Sequence, residues 1–531
     1  MNAETSAPSS RFRILRRCVF GLIALVTLVV LFYAEEKFRG KHAWNRYRKS
    51  AEARGVQLDF AALVPPPIPD EQNGAMTPLI QSWFLKPQYG DTNRWPNFFM
   101  TASTKLRLPK SQETHNQDDR RMTDFVSWQK AFAVARTPED KTKGQAPRRE
   151  EPPDTGRNAE EQTKAAQAIL EELKIYGPAL AELRVASQRP HMRYPVEYKL
   201  DEPFLILLPH LGRMKGLVQE LKVQASAELA TGQTDRAFDD VRLMFWLADS
   251  LTDEGFLIGQ LVRIACQQIA TQPIWEGMVD HKWSEAQLKE IQERLLRVNF
   301  AEAMSRSMSD ERAGGIAFMQ TAMKRNNLGE MLSMIGTPEE PSGFEASVGD
   351  DTARKAIGGL MPHGWLYLEM LNHSLMMDDM IANGWDASGK VFHPQTLDAN
   401  EKAFTKQLRG GVDAILHHQV LARLLLPALT KASGRFSRAQ ATANQVALAC
   451  ALERYHKTQH AYPESLTALV PAYLADLPNE AVSTNAMRYV RAGDGYILYS
   501  TGWDGVDDGG ALINTKATEA QKGDWVWRMG R

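Results

Sequence analysis

The stretch CVFGLIALVTLVVLFYA, Cys18–Ala34, runs for seventeen residues without a charge. Arg11, Arg13, Arg16 and Arg17 precede it, and Glu35, Glu36 and Lys37 end it. As a helix rising about 1.5 Å per residue it covers roughly 25 Å, slightly less than the ~30 Å hydrocarbon core of a bilayer. Snorkelling by Arg17 and an interfacial Tyr33 make up the difference. A secretory signal has a shorter apolar core, about 7–15 residues, and small residues at −3 and −1 of its cut. A cut after Ala34 puts the bulky Phe32 at −3. The stretch reads as an uncleaved, single transmembrane anchor over 18–34, with a cleaved product as the alternative. Residues 1–17 are then a short basic arm in the cytoplasm.

Outward from the anchor, KHAWNRYRKSAEAR (Lys41–Arg54) continues as a charged helix. VPPPIPD (Val64–Asp70) must break it, because consecutive prolines lack donors and favour an extended polyproline path. Residues 35–75 are therefore expected to form a juxtamembrane helix and a stiff spacer between membrane and body. Residues 76–159 read as an irregular region: Trp83, Phe84, Trp95, Phe98 and Phe99 offer apolar surface for docking. A polar linker poor in large apolar side chains follows, between Pro138 and Lys164.

The period of 3.6 dominates 160–430. Ala165, Ile169, Leu173 and Tyr176 share one helical face. Two strong helical patterns, Leu211–Glu228 and Thr234–Leu251, flank Thr231-Gly232-Gln233. Gly232 suits a left-handed helix end, and Thr234 or Asp235 suits the next cap. Ala225, Gly232 and Ala237 have the small-residue spacing of one tetratricopeptide-type hairpin near 211–251, without a convincing copy 34 residues on. A plain αα-hairpin explains the same pattern. Further helices are expected at Phe256–Ala270, Ser284–Val298, Ala301–Met323, Trp365–Ile381 and Asn400–Leu429, with a loop at 326–355. Ser284 and Gln287 make a capping box.

From Phe436 the pattern changes. A helix over Ser437–Thr458 is followed by HAYPESLTALVPAYLADLP (His460–Pro478), a turn, a short helix and a second turn. Met487–Val490 and Tyr496–Ser500 alternate as a β-hairpin around Arg491–Gly495. TGWDGVDDGG (Thr501–Gly510) is a loop, and Trp525-Val526-Trp527 supplies a last strand. This order resembles the globular part of the major pseudopilin of type II secretion systems. The shared features are the long helix, the "YP…L..L" segment, the "YL..LP" turn, a small antiparallel sheet and a "S.G.DG…GG…D…W" ending. The last is matched by Ser500, Gly502, Asp504-Gly505, Gly509-Gly510, Asp524 and Trp527. The resemblance covers about the last 95 residues, 436–531. Two features depart from it: the helix starts about 400 residues beyond the anchor, and Asn479-Glu480 replace the family's "DP". The chain thus looks like a carrier of a pilin-like domain and not an assembling pilin. Its whole arrangement is similar to that of anchored bacterial envelope proteins. The resemblance implies calcium in the loop, with Asp504, Asp508 and Asp524 as ligands. The loop is no EF-hand, and Asp-Gly pairs are also ordinary turn formers.

The expected fold class is mainly α: an N-terminal transmembrane helix, a helical-hairpin body, and a small C-terminal α+β domain with an antiparallel sheet. Lys and Arg number 63 against 64 Asp and Glu, a net charge of −1, so no global field attracts nucleic acid. The basic run after the anchor faces anionic headgroups instead. Positive charge flanks both ends of the anchor, so charge alone does not orient it. The pilin-like end favours an extracytoplasmic, periplasmic body on the inner membrane. Cys18 lies in the anchor, and Cys266 and Cys450 read as buried small hydrophobes and not as a disulfide.

No Walker A, G-x-S-x-G, H-E-x-x-H or C-x-x-C motif appears. Ser127-Trp-Gln-Lys130 matches S-x-x-K without its companion motifs. His456 and His460 have an i, i+4 zinc spacing that lacks a third ligand, and a His near a helix C-terminus also complements its dipole. The Asp239-Asp240 and Asp378-Asp379 pairs read as solvated faces or caps. The expected function is non-catalytic: protein–protein interaction or structural support, associated with secretion or pilus-like machinery. The alternative is an anchored hydrolase with a site near 361–381.

Overall fold

In the computed structural model, residues 10–85, 121–136, 158–198, 203–325, 361–409, 411–511 and 522–530 are described. Trp95, Phe98, Phe99, the loop at 326–355 and the linker before Asn158 lie outside them. The described helices are α1 (Ser10–Ala53), α2 (Pro78–Ser82), α3 (Phe125–Arg136), α4 (Ala159–Leu173), α5 (Gly177–Ala186), α6 (Pro209–Ala230) and α7 (Thr234–Asp249). They continue as α8 (Leu257–Val279), α9 (Glu285–Arg297), α10 (Phe300–Arg325), α11 (His363–Ile381), α12 (Pro394–Gln407), α13 (Gly411–Leu416) and α14 (Val420–Gln459). Strands β1 (Trp385–Asp386) and β2 (Val391–Phe392) make one small antiparallel pair. β3 (Arg488–Ala492), β4 (Gly495–Ser500) and β5 (Trp525–Met529) make the other sheet, in that order. The fold is mainly α with a small antiparallel sheet at its end, as the periodicity requires.

One helix, α1, runs without a break through the apolar stretch and into the body. It is long and apolar enough to cross a membrane. The large apolar side chains from Ile14 to Tyr33 are exposed on every side. Beyond them only one stripe is buried: Glu36, Gly40, Trp44, Tyr47 and Ala51, spaced at three and four residues. That stripe packs along α11. Backbone touches backbone at the crossing, because a Cβ on Gly40 would stand 2.2 Å from the Gly364 carbonyl oxygen. Trp365 Nε1 donates to Glu36 Oε2 at 3.0 Å. Asp378 of α11 accepts from Tyr47 at 2.9 Å and from Arg312 of α10 at 2.6 Å. Trp44, Ile316, Met319, Leu366, Met370 and Leu421 close an apolar cluster around this junction. The spacer expectation for 35–75 is corrected here. The body begins at Glu36, and Val64–Asp70 follows a helix already docked. The chain between them also stays on the body, where Phe60 packs on Phe256 with ring centroids 6.0 Å apart.

The expected hairpin is α6 and α7, with Gly232 at φ +78° between them. Neither Thr234 nor Asp235 caps α7; Gln233 holds the N-cap position without a side-chain bond. Asp235 instead accepts from Gln287 Nε2 at 3.0 Å. The capping box of Ser284 and Gln287 forms in full at the start of α9. Asp240 is fully buried, which corrects its reading as a solvated group. It accepts from Arg184 of α5 and, at 2.7 Å, from Gln224 of α6. A buried carboxylate is tolerated there because both oxygens are bonded.

The expected helix Asn400–Leu429 is broken into α12, α13 and the start of α14. Glu369 of α11 explains where α14 begins: its two carboxylate oxygens accept the amides of Val420 and Leu421 at 3.0 and 3.1 Å. Orphan amides at a helix start favour such an anion. From there α14 runs for 40 residues, so the helix expected over Ser437–Thr458 is only its second half. β3 and β4 join through Gly493-Asp494, a tighter turn than Arg491–Gly495, with Ala492 opposite Gly495. Tyr496, Leu498, Trp525, Trp527 and Met529 are buried in the same core as α6–α9. Gln445 of α14 donates to the Trp525 carbonyl at 2.7 Å, and Trp275 of α8 donates to that of Arg528 at 2.9 Å. The C-terminal unit thus shares its core with the helical body and is not set apart from it.

Candidate functional site

The last turns of α14 place Glu453 and His456 on one face, at i and i+3. A third side chain comes from the turn between α8 and α9, where His281 adopts φ +51°. This left-handed conformation is uncommon for a residue with a Cβ. His281 Nδ1 lies 2.8 Å from Glu453 Oε2. Tyr462 donates to the other oxygen, Oε1. The imidazoles of His281 and His456 stack with centroids 4.6 Å apart and planes 12° apart. Tyr462 stacks on the other side of His456 at 4.7 Å. Glu453 is 1% exposed, whereas the side chain of His281 is 46% exposed. The hydrogen bond to Glu453 pushes the His281 imidazole up from its ordinary pKa, while burial pushes His456 down. One ligand atom from each of His281, Glu453 and His456 lies within 4.8 Å of the other two.

His456, singled out in the sequence by its spacing to His460, stands in this cluster, and His460 does not. His460 takes φ +56° and closes α14, its amide donating to the His456 carbonyl at 2.8 Å. The Glu-x-x-His spacing of Glu453 and His456 was a readable signal, since it is a known way for a helix to present two ligands. His281 had no such signal, being 172 residues from Glu453.

The aspartates of the terminal loop do different work. Asp504 accepts from the amides of Val506 at 3.2 Å and Gly523 at 3.1 Å. Asp524 Oδ2 accepts from Asp508 at 3.1 Å and Gly510 at 2.7 Å, which ties the loop to the start of β5. Asp524 Oδ1 is buried and lacks a partner. Burial raises the Asp524 pKa, against its two amide bonds, and the charges of Asp507 and Asp508 add to the rise. The calcium expected from the resemblance would use this orphan oxygen, with Asp508 and Asp504 as the other oxygen donors. The three carboxylates do not gather as closely as the histidine cluster. In the full chain in detergent, calcium is expected to raise Tm over a chelator control, and Asp524→Asn is expected to abolish that rise. Equal melting of the wild type with and without calcium would remove the ion from the loop.

Between residues 361 and 381 the most prominent candidate is His373. It is fully buried, both ring nitrogens lack partners, and burial pushes its pKa down to about 3. Its Nε2 would stand 2.8 Å from a Cβ at Gly315, so α10 passes directly over the ring. A concavity between α11 and α12, lined by Met380, Leu397, Asp398, Ser433 and Trp503, has room for about 10 Å³. That is space for one water. Ser127 donates to Asp124 at 2.6 Å at the start of α3. Cys266 and Cys450 are buried free thiols, as expected. Comparison of the chain with family models, with curated proteins and with solved structures finds no match.

Proposed function

We propose that this protein is a non-catalytic, membrane-anchored scaffold whose body is held at a fixed attitude to the bilayer. The observation that carries this reading is the continuity of α1. Its first half is an exposed apolar rod, and its second half is a core helix of the body. A continuous, docked helix of this kind suits a protein that presents a surface at a set height above the bilayer. Lys37, Arg39, Lys41, Arg46, Arg48 and Lys49 are exposed on α1 around its buried stripe. They suit anionic headgroups at the foot of the body. The hydrolase alternative is weaker, because His373 is sealed under α10 and a substrate needs a concave, accessible pocket. The resemblance of the C-terminal order to pseudopilins supports an inner-membrane protein with a periplasmic body and a partner in secretion or pilus-like machinery.

The topology is tested with Lys289→Cys, on an exposed position of α9. Cys266 and Cys450 are buried and Cys18 sits in the apolar stretch, so background labelling is low. A membrane-impermeant maleimide is expected to label this variant in intact cells with a permeabilised outer membrane. Labelling only after lysis would overturn the periplasmic body. A photoreactive residue at Leu207, 78% exposed, is expected to give a discrete cross-linked species in the same cells. Its absence there and at Val185 and Val506, together with turnover of an ester or peptide substrate, would favour the hydrolase.

A further inference from the structure

We propose that His281, Glu453 and His456 bind a divalent transition metal of zinc type, which fastens the α8–α9 turn to the end of α14. Two imidazoles and one carboxylate are a borderline N/O donor set. They suit Zn²⁺ and its neighbours, and do not suit Ca²⁺ or Mg²⁺, which prefer oxygen throughout. Three protein ligands leave a fourth position, and it opens to solvent on the side of the half-exposed His281. A water there, or a donor from a partner, completes a tetrahedron.

Three features of the surroundings point to a ligand and not only to an ion pair. Tyr462 holds one oxygen of Glu453, as an outer hydrogen bond does for a ligating carboxylate. The turn keeps His281 at a positive φ, an uncommon conformation for a residue with a Cβ, and brings this side chain to α14. His456 packs face to face between His281 and Tyr462, yet makes no hydrogen bond to Glu453. The His281–Glu453 pair thus leaves the ring nitrogens of this second imidazole unused.

The geometry needs a rearrangement, because the nearly parallel rings of His281 and His456 must leave their stack before both present an in-plane nitrogen to one ion. Donor atoms now within 4.8 Å must come to roughly 3.3 Å of one another around a tetrahedral ion with ~2.0–2.1 Å bonds. Such an ion takes the imidazoles neutral and the carboxylate ionised, so binding weakens as pH falls. Lys457, whose Nζ lies 3.4 Å from the His281 carbonyl, opposes a dication. That holds the affinity below that of a fully buried structural site.

The test uses the full chain in detergent, stripped with a chelator, and zinc alone as the probe. One zinc per chain is expected, with a Tm rise of about 2–3 °C at a hundredfold excess over Kd for a chain of this length. Cobalt is expected to give the visible absorption of a tetrahedral ion. His281→Asn and His456→Gln are each expected to lose the zinc-dependent rise while melting near the wild type without metal. Asn tolerates the left-handed backbone at 281. His460→Gln is expected to bind as the wild type does. Equal zinc binding by His281→Asn, loss of binding in His460→Gln, or no zinc bound by the wild type would each overturn the proposal. The last result would leave a His281–Glu453 ion pair only.

Discussion

Gly40→Ala is expected to destabilise the full chain, although helix propensity alone predicts the opposite. In the middle of a helix, Ala is favoured over Gly by about 1 kcal/mol. A free juxtamembrane helix would gain that amount. Here the added Cβ meets the Gly364 carbonyl oxygen at 2.2 Å and its carbon at 3.0 Å, both backbone atoms that no rotamer change can move. The same crossing seen from α11 is tighter still: a Cβ on Gly364 would stand 2.2 Å from the Glu36 carbonyl oxygen and 2.5 Å from the Lys37 nitrogen. The helices must part, and overpacking of this kind costs about 1–3 kcal/mol. Parting them also stretches the 3.0 Å bond from Trp365 to Glu36, and a bond to a charged group contributes about 1.5–3 kcal/mol. The net expectation is a loss of about 2–4 kcal/mol, with Gly364→Val losing more. Thermal melting in detergent supplies the sign. Hydrogen exchange should rise over Glu36–Ala51 and stay low in β3–β5. A Tm equal to or above that of the wild type would mean that α1 does not dock on α11.

What the sequence disclosed and what it hid follow from the range of the interactions. The membrane stretch is a local property of uncharged residues and needs no partner to be recognised. The Ser284–Gln287 box and Gly232 are equally local, and both stand where their spacing places them. The docking of α1 was hidden because its buried stripe is interleaved with Lys37, Arg39, Lys41, Arg46, Arg48 and Lys49. Those charges dominate any average over the segment, while the stripe itself contains a Gly and a Glu. The break in Asn400–Leu429 was missed although Gly410-Gly411 and His417-His418 sit at its edges. What fixes α14's first residue is Glu369, 51 positions upstream. The candidate metal cluster was half readable in the same way, through the helical Glu453–His456 spacing and not through His281. Asp240 and Asp378 looked like surface pairs because an Asp-Asp dipeptide does not reveal which member turns inward.

The inward member at α11, Asp378, is expected to give the second large effect. Its two oxygens serve Arg312 at 2.6 Å, Tyr47 at 2.9 Å and Arg54 at 3.3 Å. These partners differ in weight. Arg54 is 52% exposed, and an exposed pair contributes about 0–1 kcal/mol. Arg312 is 5% exposed, with its Nε already unbonded. Asp378→Ala leaves that guanidinium buried without a counterion, and such a loss costs about 3–5 kcal/mol. Because Asp378 itself is 28% exposed, water can reach the site, and the lower end of that range is expected. Asp378→Asn keeps an acceptor for Tyr47 or Arg312 and should lose less. The informative variant is the double change Arg312→Met with Asp378→Leu, which removes both charges and fills their space with apolar atoms. If the cost of Asp378→Ala is the stranded charge, the double variant should recover most of it, since a buried pair replaced by well-packed apolar side chains is often neutral or better. Denaturant unfolding of the four proteins measures this directly. If the double variant is as unstable as Asp378→Ala, the hydrogen bond from Tyr47 would be what holds α1 to α11, and Tyr47→Phe should then reproduce the loss alone.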